Sequence, residues 1–353
     1  MVNRCAFLLG FLLSALLCFG GGPESFSRLA GFHTELIVPH SVVPVSMNVL
    51  RSPGEEYEHS VSELFGRENE ARFLEGDVDL RESDVIWFPG SGGSWVGIYY
   101  NGGWKAWGQG DRDMSDYVPR RNSGFFIQSN SDNYWLLVFG GHIRTAPMIY
   151  RAYSGFNVFN RGYPMPISLR DSGLHKSPGL RSGRENEADW IYLYDGDGGY
   201  AQFYYSGIFW RKVGEEGDFG EELIPSTFLV YSRGSGGALT LHPPIRMLSH
   251  LKSSNVGYSE EPPFSANLAP SLGESDFGSP VFRISWQAES HKVRYRTEVF
   301  EEDWFEISSK IGSTGQFMED HAILLHTSTG RIGLRWGVVR VRSEWVHSSK
   351  SRR

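Results

Sequence analysis

Hydrophobic positions in this chain come in short runs, broken every few residues by Gly, Asn, Asp, Ser or Pro. Long stretches with a helical period do not occur. Near the C-terminus the alternation is strict. Phe282, Ile284 and Trp286 alternate with Arg283 and Ser285, and Val293, Tyr295, Thr297 and Val299 alternate with Arg294, Arg296 and Glu298. Val339 and Val341 alternate with Arg340 and Arg342. Period-2 patterns of this kind predict antiparallel strands with one wet face. The predicted fold class is therefore all-β.

Two stretches share a further pattern. Residues 84–104 and 189–210 each run from an aspartate through an apolar segment, a glycine-rich turn and an aromatic segment to a tryptophan. Each reads as a β-hairpin. The preceding pentapeptide Arg67-Glu68-Asn69-Glu70-Ala71 recurs as Arg184-Glu185-Asn186-Glu187-Ala188, and the first copy then carries an insertion at 72–83. From Asp84/Asp189 to Tyr100/Tyr205 no gap is needed, and five of seventeen positions are identical. With one inserted residue, Trp104 aligns with Trp210, Gly108 with Gly214, and Pro119 with Pro225. Phe125 and Ile127 align with Phe228 and Val230, and upstream Asn48-Val49 aligns with Asn157-Val158. Self-similarity at this spacing predicts two related antiparallel β units in tandem.

The predicted plan has seven parts. They are a signal peptide (1–22), a lead-in segment (23–45), repeat unit 1 (46–150), repeat unit 2 (151–245), a proline- and serine-rich linker (246–280), a small β-sandwich (281–346) and a basic tail (347–353). Prolines 39 and 44 place the lead-in at a sheet edge or outside the sheet. Residues 134–139 (YWLLVF), apolar at every position, predict a strand covered on both faces. Ile245–Lys252 predicts a short helix.

Alternation assigns the hairpin faces. Val96, Ile98 and Tyr100, with Ala201, Phe203 and Tyr205, form the expected core side. Trp95 and Tyr99, with Tyr200 and Tyr204, fall on the opposite side and are the candidate ligand-binding residues. Each pair is four residues apart on a strand, so its rings point the same way about 13 Å apart, enough to touch more than one sugar ring. The competing reading is that these rings pack beneath a second sheet.

Residues 6–19 form an apolar run after Asn3 and Arg4, followed by Gly20-Gly21-Gly22-Pro23. That length suits a signal-peptide core and is short for a membrane span. Export to the cell surface, periplasm or medium is expected, and no transmembrane segment is expected in the mature chain. A lipid anchor at Cys18 is the alternative, disfavoured by the bulky Leu17. Cys5 and Cys18 both lie in the signal, so a chain cleaved there has no thiol for a disulfide, a metal or catalysis. Without Arg4 there are 33 basic and 41 acidic residues, which argues against a nucleic-acid partner.

Chemistry-bearing motifs are weak. Asp195-Gly196-Asp197 begins like a calcium loop but lacks the later ligands, so Asp195 and Asp197 read better as a polar turn than as a metal site. His321 and His326 are five apart, not the four of a zinc helix. Glu68, Glu70, Glu185 and Glu187 are the only paired acids that suggest sugar hydrolysis. No catalytic residue and no cofactor is assigned.

The FRISW strand, a tyrosine-bearing strand, DWFEI and the closing GVVRV resemble the small immunoglobulin-like or fibronectin-III-like modules that end many secreted bacterial proteins. The duplicated part is similar to an uncharacterised family of exported bacterial tandem-repeat β proteins. Tandem β units, a terminal sandwich-like module and aromatic rows lead to the expectation of a non-enzymatic surface or envelope protein whose partner is a cell-envelope polysaccharide or a surface protein. The alternative is an extracellular carbohydrate-active hydrolase. Protein purified from its native host is expected to begin near residues 21–23 or to carry lipid on Cys18; an intact Met1 on cytosolic protein, by mass spectrometry, would rule export out.

Overall fold

The computed structural model describes residues 24–26, 29–50, 59–76, 82–90, 93–195 and 198–244, together with the backbone of six later strands between 269 and 345. The first set of elements is β1 (Glu24–Phe26), β2 (Ala30–Ile37), β3 (Val42–Val45), α1 (Val61–Phe65), β4 (Val85–Pro89), β5 (Trp95–Tyr100), β6 (Trp104–Ala106), β7 (Phe125–Gln128) and β8 (Trp135–His142). The second is β9 (Met148–Ala152), β10 (Gly155–Asn160), β11 (Ile167–Ser168), β12 (Trp190–Tyr194), β13 (Tyr200–Tyr205), β14 (Trp210–Lys212), β15 (Leu223–Ile224), β16 (Thr227–Ser232) and β17 (Gly237–Leu241). The last is β18 (Ala269–Glu274), β19 (Pro280–Ala288), β20 (Val293–Phe300), β21 (Trp304–Ile311), β22 (Gly315–Ala322) and β23 (Trp336–Trp345). The protein is all-β, and each strand pairing among the described residues is antiparallel.

Two five-stranded sheets share one strand order, β3-β7-β4-β5-β6 in the first and β10-β16-β12-β13-β14 in the second. Their registers agree as well. Ile86 pairs with Ile98 and Ile127, as Ile191 pairs with Phe203 and Val230. Tyr100 faces Trp104 as Tyr205 faces Trp210. Against each sheet lies a further strand pair, β2–β8 at the end of a longer sheet in the first case and the two-stranded ribbon β9–β17 in the second. Ile37, Leu137 and Phe139 of the first ribbon share a core with Ile86, Ile98, Tyr100 and Trp104. Tyr150, Leu239 and Leu241 of the second share one with Ile191, Phe203, Phe228 and Trp210. The expected inner faces of both hairpins are therefore the core faces.

Local chemistry explains why the two sheets match. In both hairpin turns the one glycine at an identical aligned position, Gly93 or Gly198, has positive φ (80° and 92°), which residues with a Cβ adopt at a cost. The aspartate that opens each repeat is buried and acts as a staple. Asp84 Oδ2 accepts from the Leu74 N–H at 2.8 Å and Oδ1 from the Asn130 N–H at 2.7 Å. Asp189 repeats this with the Arg181 N–H at 2.9 Å and the Arg233 N–H at 2.7 Å. Each carboxylate thus ties the start of its strand to the segment before it and to the end of the neighbouring strand.

Several expectations change. The lead-in segment is part of the first unit: β2 is an interior strand, flanked by β8 and β23, while β3, which holds Pro44, pairs only with β7. The register sets Val43 opposite Ile127 and Asn157 opposite Val230, so Asn157 corresponds to Val43 and not to Asn48. Helix α1 was not foreseen, although its capping box, Ser60 with Glu63, stands in the sequence. In 134–139 Leu137 and Phe139 are buried and Leu136 and Val138 half-buried, so β8 is covered more fully on one face than on the other. Residues 269–274 of the expected linker form β18, paired with β19. The helix expected at 245–252 lies outside the described residues.

The C-terminal strands occupy two sheets, β18-β19-β22, and β21-β20-β23. The second sheet continues into β2 and β8, with Ala30 opposite both Val339 and His142. The terminal strands and the first unit therefore share one hydrogen-bonded sheet, an arrangement the linear plan does not contain.

Removing either buried carboxylate leaves two backbone N–H groups without their acceptor. Asp84→Ala and Asp189→Ala are each expected to lower unfolding free energy by roughly 2–4 kcal/mol, measured by urea denaturation, with Asn substitutions costing less.

Candidate functional site

The outer faces of the two five-stranded sheets differ although their frames agree. In the first, Trp87 and Trp107 meet edge to face, with ring centroids 5.2 Å apart. They do so over Gly97: a Cβ there would lie 2.7 Å from the Trp87 ring. The indoles close over the middle of β5, between Trp95 and Tyr99. Trp95 remains 46% exposed, edge-on to Phe126 at 5.4 Å. Tyr99 is only 2% exposed. The expected Trp95/Tyr99 row therefore does not exist as a surface, because tryptophans on β4 and after β6 fill the space between its ends.

In the second sheet Gln202 stands where Gly97 stands in the first. Tyr200 and Tyr204 flank it, both half-buried. Tyr200 meets Tyr194 on the paired strand at 5.5 Å, and Tyr204 is opposite Arg211. These two rings belong to a larger set that the hairpin-only reading missed. Phe156, 63% exposed, lies 4.9 Å from Tyr231 and 5.5 Å from Tyr192. Tyr192 lies 6.2 Å from Trp190. The Arg233 guanidinium sits over Trp190 at 4.4 Å and near Tyr231 at 5.6 Å. The Trp190, Tyr192, Tyr194 alternation in the sequence carries this signal, and the pairing of β10, β16, β12 and β13 turns it into a pavement. Burial pushes the Tyr192 phenol above its usual range, and burial with Tyr194 and Asp195 nearby pushes Tyr200 up to about 12. Both hydroxyls stay neutral and can donate as well as accept.

The paired acids are not assembled into a cleft. Glu68, Glu70, Glu185 and Glu187 are exposed in the turns before β4 and β12. The Glu70 carboxylate accepts from the Glu68 N–H at 3.0 Å, and the Glu185 carbonyl accepts from the Trp190 indole at 2.9 Å. Asp195 accepts from the Gly199 N–H at 2.9 Å, as a turn residue does, and Asp197 lies outside the described residues. No cluster of three potential metal ligands occurs among the described residues.

The strongly perturbed groups are elsewhere, in the seam between the units. His33 Nε2 donates to the Ser46 carbonyl at 2.7 Å, leaving a neutral imidazole stacked on Phe139. Burial lowers its pKa to about 3. Burial raises Glu35 to about 7, opposed by a hydrogen bond with Ser226 and by the charge of Arg161. Arg161, lowered by burial to about 10 and still cationic, donates to the carbonyls of Tyr163 (2.8 Å), Ile224 (2.7 Å) and Pro164 (2.6 Å). All three side chains are buried, which suits a structural junction and gives a substrate no access.

The chain matches no family model and shows no significant similarity to any curated protein.

His33 and Glu35 set a pH signature. From pH 3 to 6.5 the unfolded chain takes up a proton on His33 that the fold refuses, so its contribution to stability grows as pH rises. From pH 4.5 to 7 the fold keeps a proton on Glu35 that the unfolded chain releases, so that contribution shrinks as pH rises. Glu35→Gln should remove the second limb alone. Chemical denaturation should show it gaining on the parent by on the order of 2–3 kcal/mol at about pH 8, with little difference near about pH 4.

Proposed function

We propose that this is an exported, non-enzymatic protein of the cell surface or envelope that binds polysaccharide on the outer face of its second five-stranded sheet. The observation that carries the reading is the contiguous pavement of Phe156, Tyr231, Tyr192 and Trp190, extended by Tyr194, Tyr200 and Tyr204. Flat rings suit the apolar faces of pyranose sugars, and phenol tips suit their hydroxyls. Gln202, Arg211 and Arg233 add amide and guanidinium donors between and beside the rings. Those two arginines give an acidic polysaccharide an electrostatic advantage over a neutral one. An apolar protein partner would instead call for aliphatic anchors, and Leu229 is the main one on this face.

Of the residues first proposed, Tyr200 and Tyr204 stay in this surface. Trp95 is an exposed ring on the other unit, packed against Phe126, and Tyr99 is buried. The hydrolase alternative has less support, since its acids point to solvent from turns.

Replacing Trp190 and Tyr192 together by alanine is expected to weaken binding to purified envelope polysaccharide by at least about tenfold, with little change in thermal midpoint. Affinity electrophoresis and a melting curve check both halves. Unchanged polysaccharide binding with loss of a surface-protein partner would transfer the face to protein recognition, and a fall in melting temperature alone would make it structural.

A further inference from the structure

Arg233 is an exposed residue of the aromatic face, and its neighbours fix it there. Its backbone N–H donates to Asp189 Oδ1 at 2.7 Å, as part of the aspartate staple. Its Nε donates to the Ala188 carbonyl at 2.9 Å. Its guanidinium lies over the Trp190 ring, 4.4 Å from the centroid, and 5.6 Å from that of Tyr231. Trp190 is fixed in turn, because its indole donates to the Glu185 carbonyl at 2.9 Å. Residues 185–189 therefore hold both the ring and the cation stacked on it. The charge reaches the Tyr192 phenol, where it opposes the upward pull of burial.

A stacked guanidinium keeps its in-plane donors for an acceptor. Here Nε is taken and the two terminal amino groups are not. Among the described residues neither of them donates to a protein acceptor, and no carboxylate pairs with the charge. Arg211 is placed differently, since its Nη1 donates to the Gly217 carbonyl at 2.7 Å. The first unit has the staple without the cation: Asn130 stands where Arg233 stands, and Val85 where Trp190 does. The whole chain has a formal net charge of -7 and repels polyanions in general. A preference for an acidic polymer then has to come from a local cation that nothing neutralises. Two N–H donors in one plane match the two oxygens of a carboxylate. Phe156, 63% exposed, lies across Tyr231 from Trp190 in one cross-strand row. Two strand spacings, about 10 Å, separate the backbones of Phe156 and Trp190. A sugar stacked on Phe156 and an acidic sugar at Arg233 can therefore belong to one glycan chain.

We propose that Arg233 is the specificity residue of this face and reads the carboxylate of a uronic-acid polysaccharide whose neighbouring sugar stacks on Phe156. The proposal rests on the reading of the face as a polysaccharide surface, and the test separates the two. The full chain is titrated calorimetrically with polygalacturonate and with its fully methyl-esterified form, which keeps the sugar backbone and removes the charge. The acid is expected to bind at least about tenfold more tightly than the ester. Arg233→Ala should erase that difference, and Arg233→Lys should keep only part of it, since an ammonium is a point charge and not a fork. Phe156→Ala should weaken both polymers alike. Equal binding of acid and ester by the parent overturns the proposal and leaves the polysaccharide surface standing, and so does a preference for the acid that survives Arg233→Ala. Binding of neither polymer overturns it too, and the Trp190 and Tyr192 substitutions with envelope polysaccharide then decide the surface by themselves. Should Arg233→Ala fail to fold, Arg233→Gln keeps a stem over Trp190 without the charge; the advantage of the acid has to vanish there as well, and its persistence refutes the assignment.

Discussion

The tandem units are joined by backbone groups that each side has to satisfy for the other. Where β3 ends, the Ser46 hydroxyl donates to the Ser226 carbonyl at 2.5 Å, and Asn48 Oδ1 accepts from the Gly162 N–H. Where β10 ends, the Asn160 N–H donates to the Asn122 carbonyl. Gly124 and Thr227, which occupy equivalent positions in the two sheets, face one another; a Cβ on Gly124 would lie 2.4 Å from the Thr227 methyl. Contacts between equivalent residues are what a two-fold arrangement of identical surfaces produces. The buried Arg161, whose three donors hold carbonyls of its own unit, puts a positive charge beside Glu35 of the other. Breaking such a group leaves an uncompensated buried charge, which is far more harmful than never having had it. The seam is therefore committed: neither unit can withdraw without exposing or orphaning the polar atoms of its neighbour.

Within that frame the two copies have diverged at positions that leave the frame intact. The exchange of Gly97 for Gln202 is the clearest. Without a side chain at 97, two indoles can meet over the strand and seal the first outer face. With glutamine at 202, the ring of Tyr192 lies beside a polar side chain and the second face stays partly open. The inner positions tell the opposite story. Phe65 packs on Trp104 with ring centroids 5.8 Å apart, and in the second unit His175 approaches Trp210 at 6.3 Å. The Trp104 indole donates to the Gly66 carbonyl at 2.8 Å, while the Trp210 indole is unpaired. At this pair of positions the second unit is the more polar of the two, and its indole lacks the partner that the first has.

The parts of this architecture legible in the sequence were those fixed by local geometry. Period-2 alternation placed Ile98, Tyr100, Phe203 and Tyr205 on the core side, because a strand's side chains must alternate whatever it pairs with. The aligned aspartates and tryptophans located the hairpins for the same reason. What stayed hidden depends on partners far along the chain. Tyr99 obeys the alternation and is still buried, on a face where Trp87 and Trp107 meet over the neighbouring Gly97. Trp190, Tyr192, Phe156 and Tyr231 could not be joined into one surface until β10, β16 and β12 were ordered side by side. Asn160 carries no sequence signal, and Asn48 carries one only as a repeat position, which the register does not support. Their meaning comes from hydrogen bonds to Gly162 and Met47 across the seam.

The sheet shared by β2 and β23 has a further consequence for how the chain reaches this state. Ala30 is paired to Val339 on one side and to His142 on the other, so β2 cannot complete its hydrogen bonding until nearly the whole sequence is present. Pairings between strands so distant in sequence require loop-closure entropy to be overcome before they contribute, and they form late. The second unit has no comparable demand among the described residues, since β9 pairs with β17 of its own ribbon. The order that follows is a second unit that closes on strands of its own and a first unit that waits for the C-terminal strands. Until β23 arrives, the first ribbon presents an unpaired strand edge, the kind of surface that recruits another chain. The polar seam offsets that exposure: Ser46, Asn48 and Gly124 lie on the first unit and take their partners from the second, so docking on a finished neighbour can hold the first sheet in register while its ribbon is still incomplete.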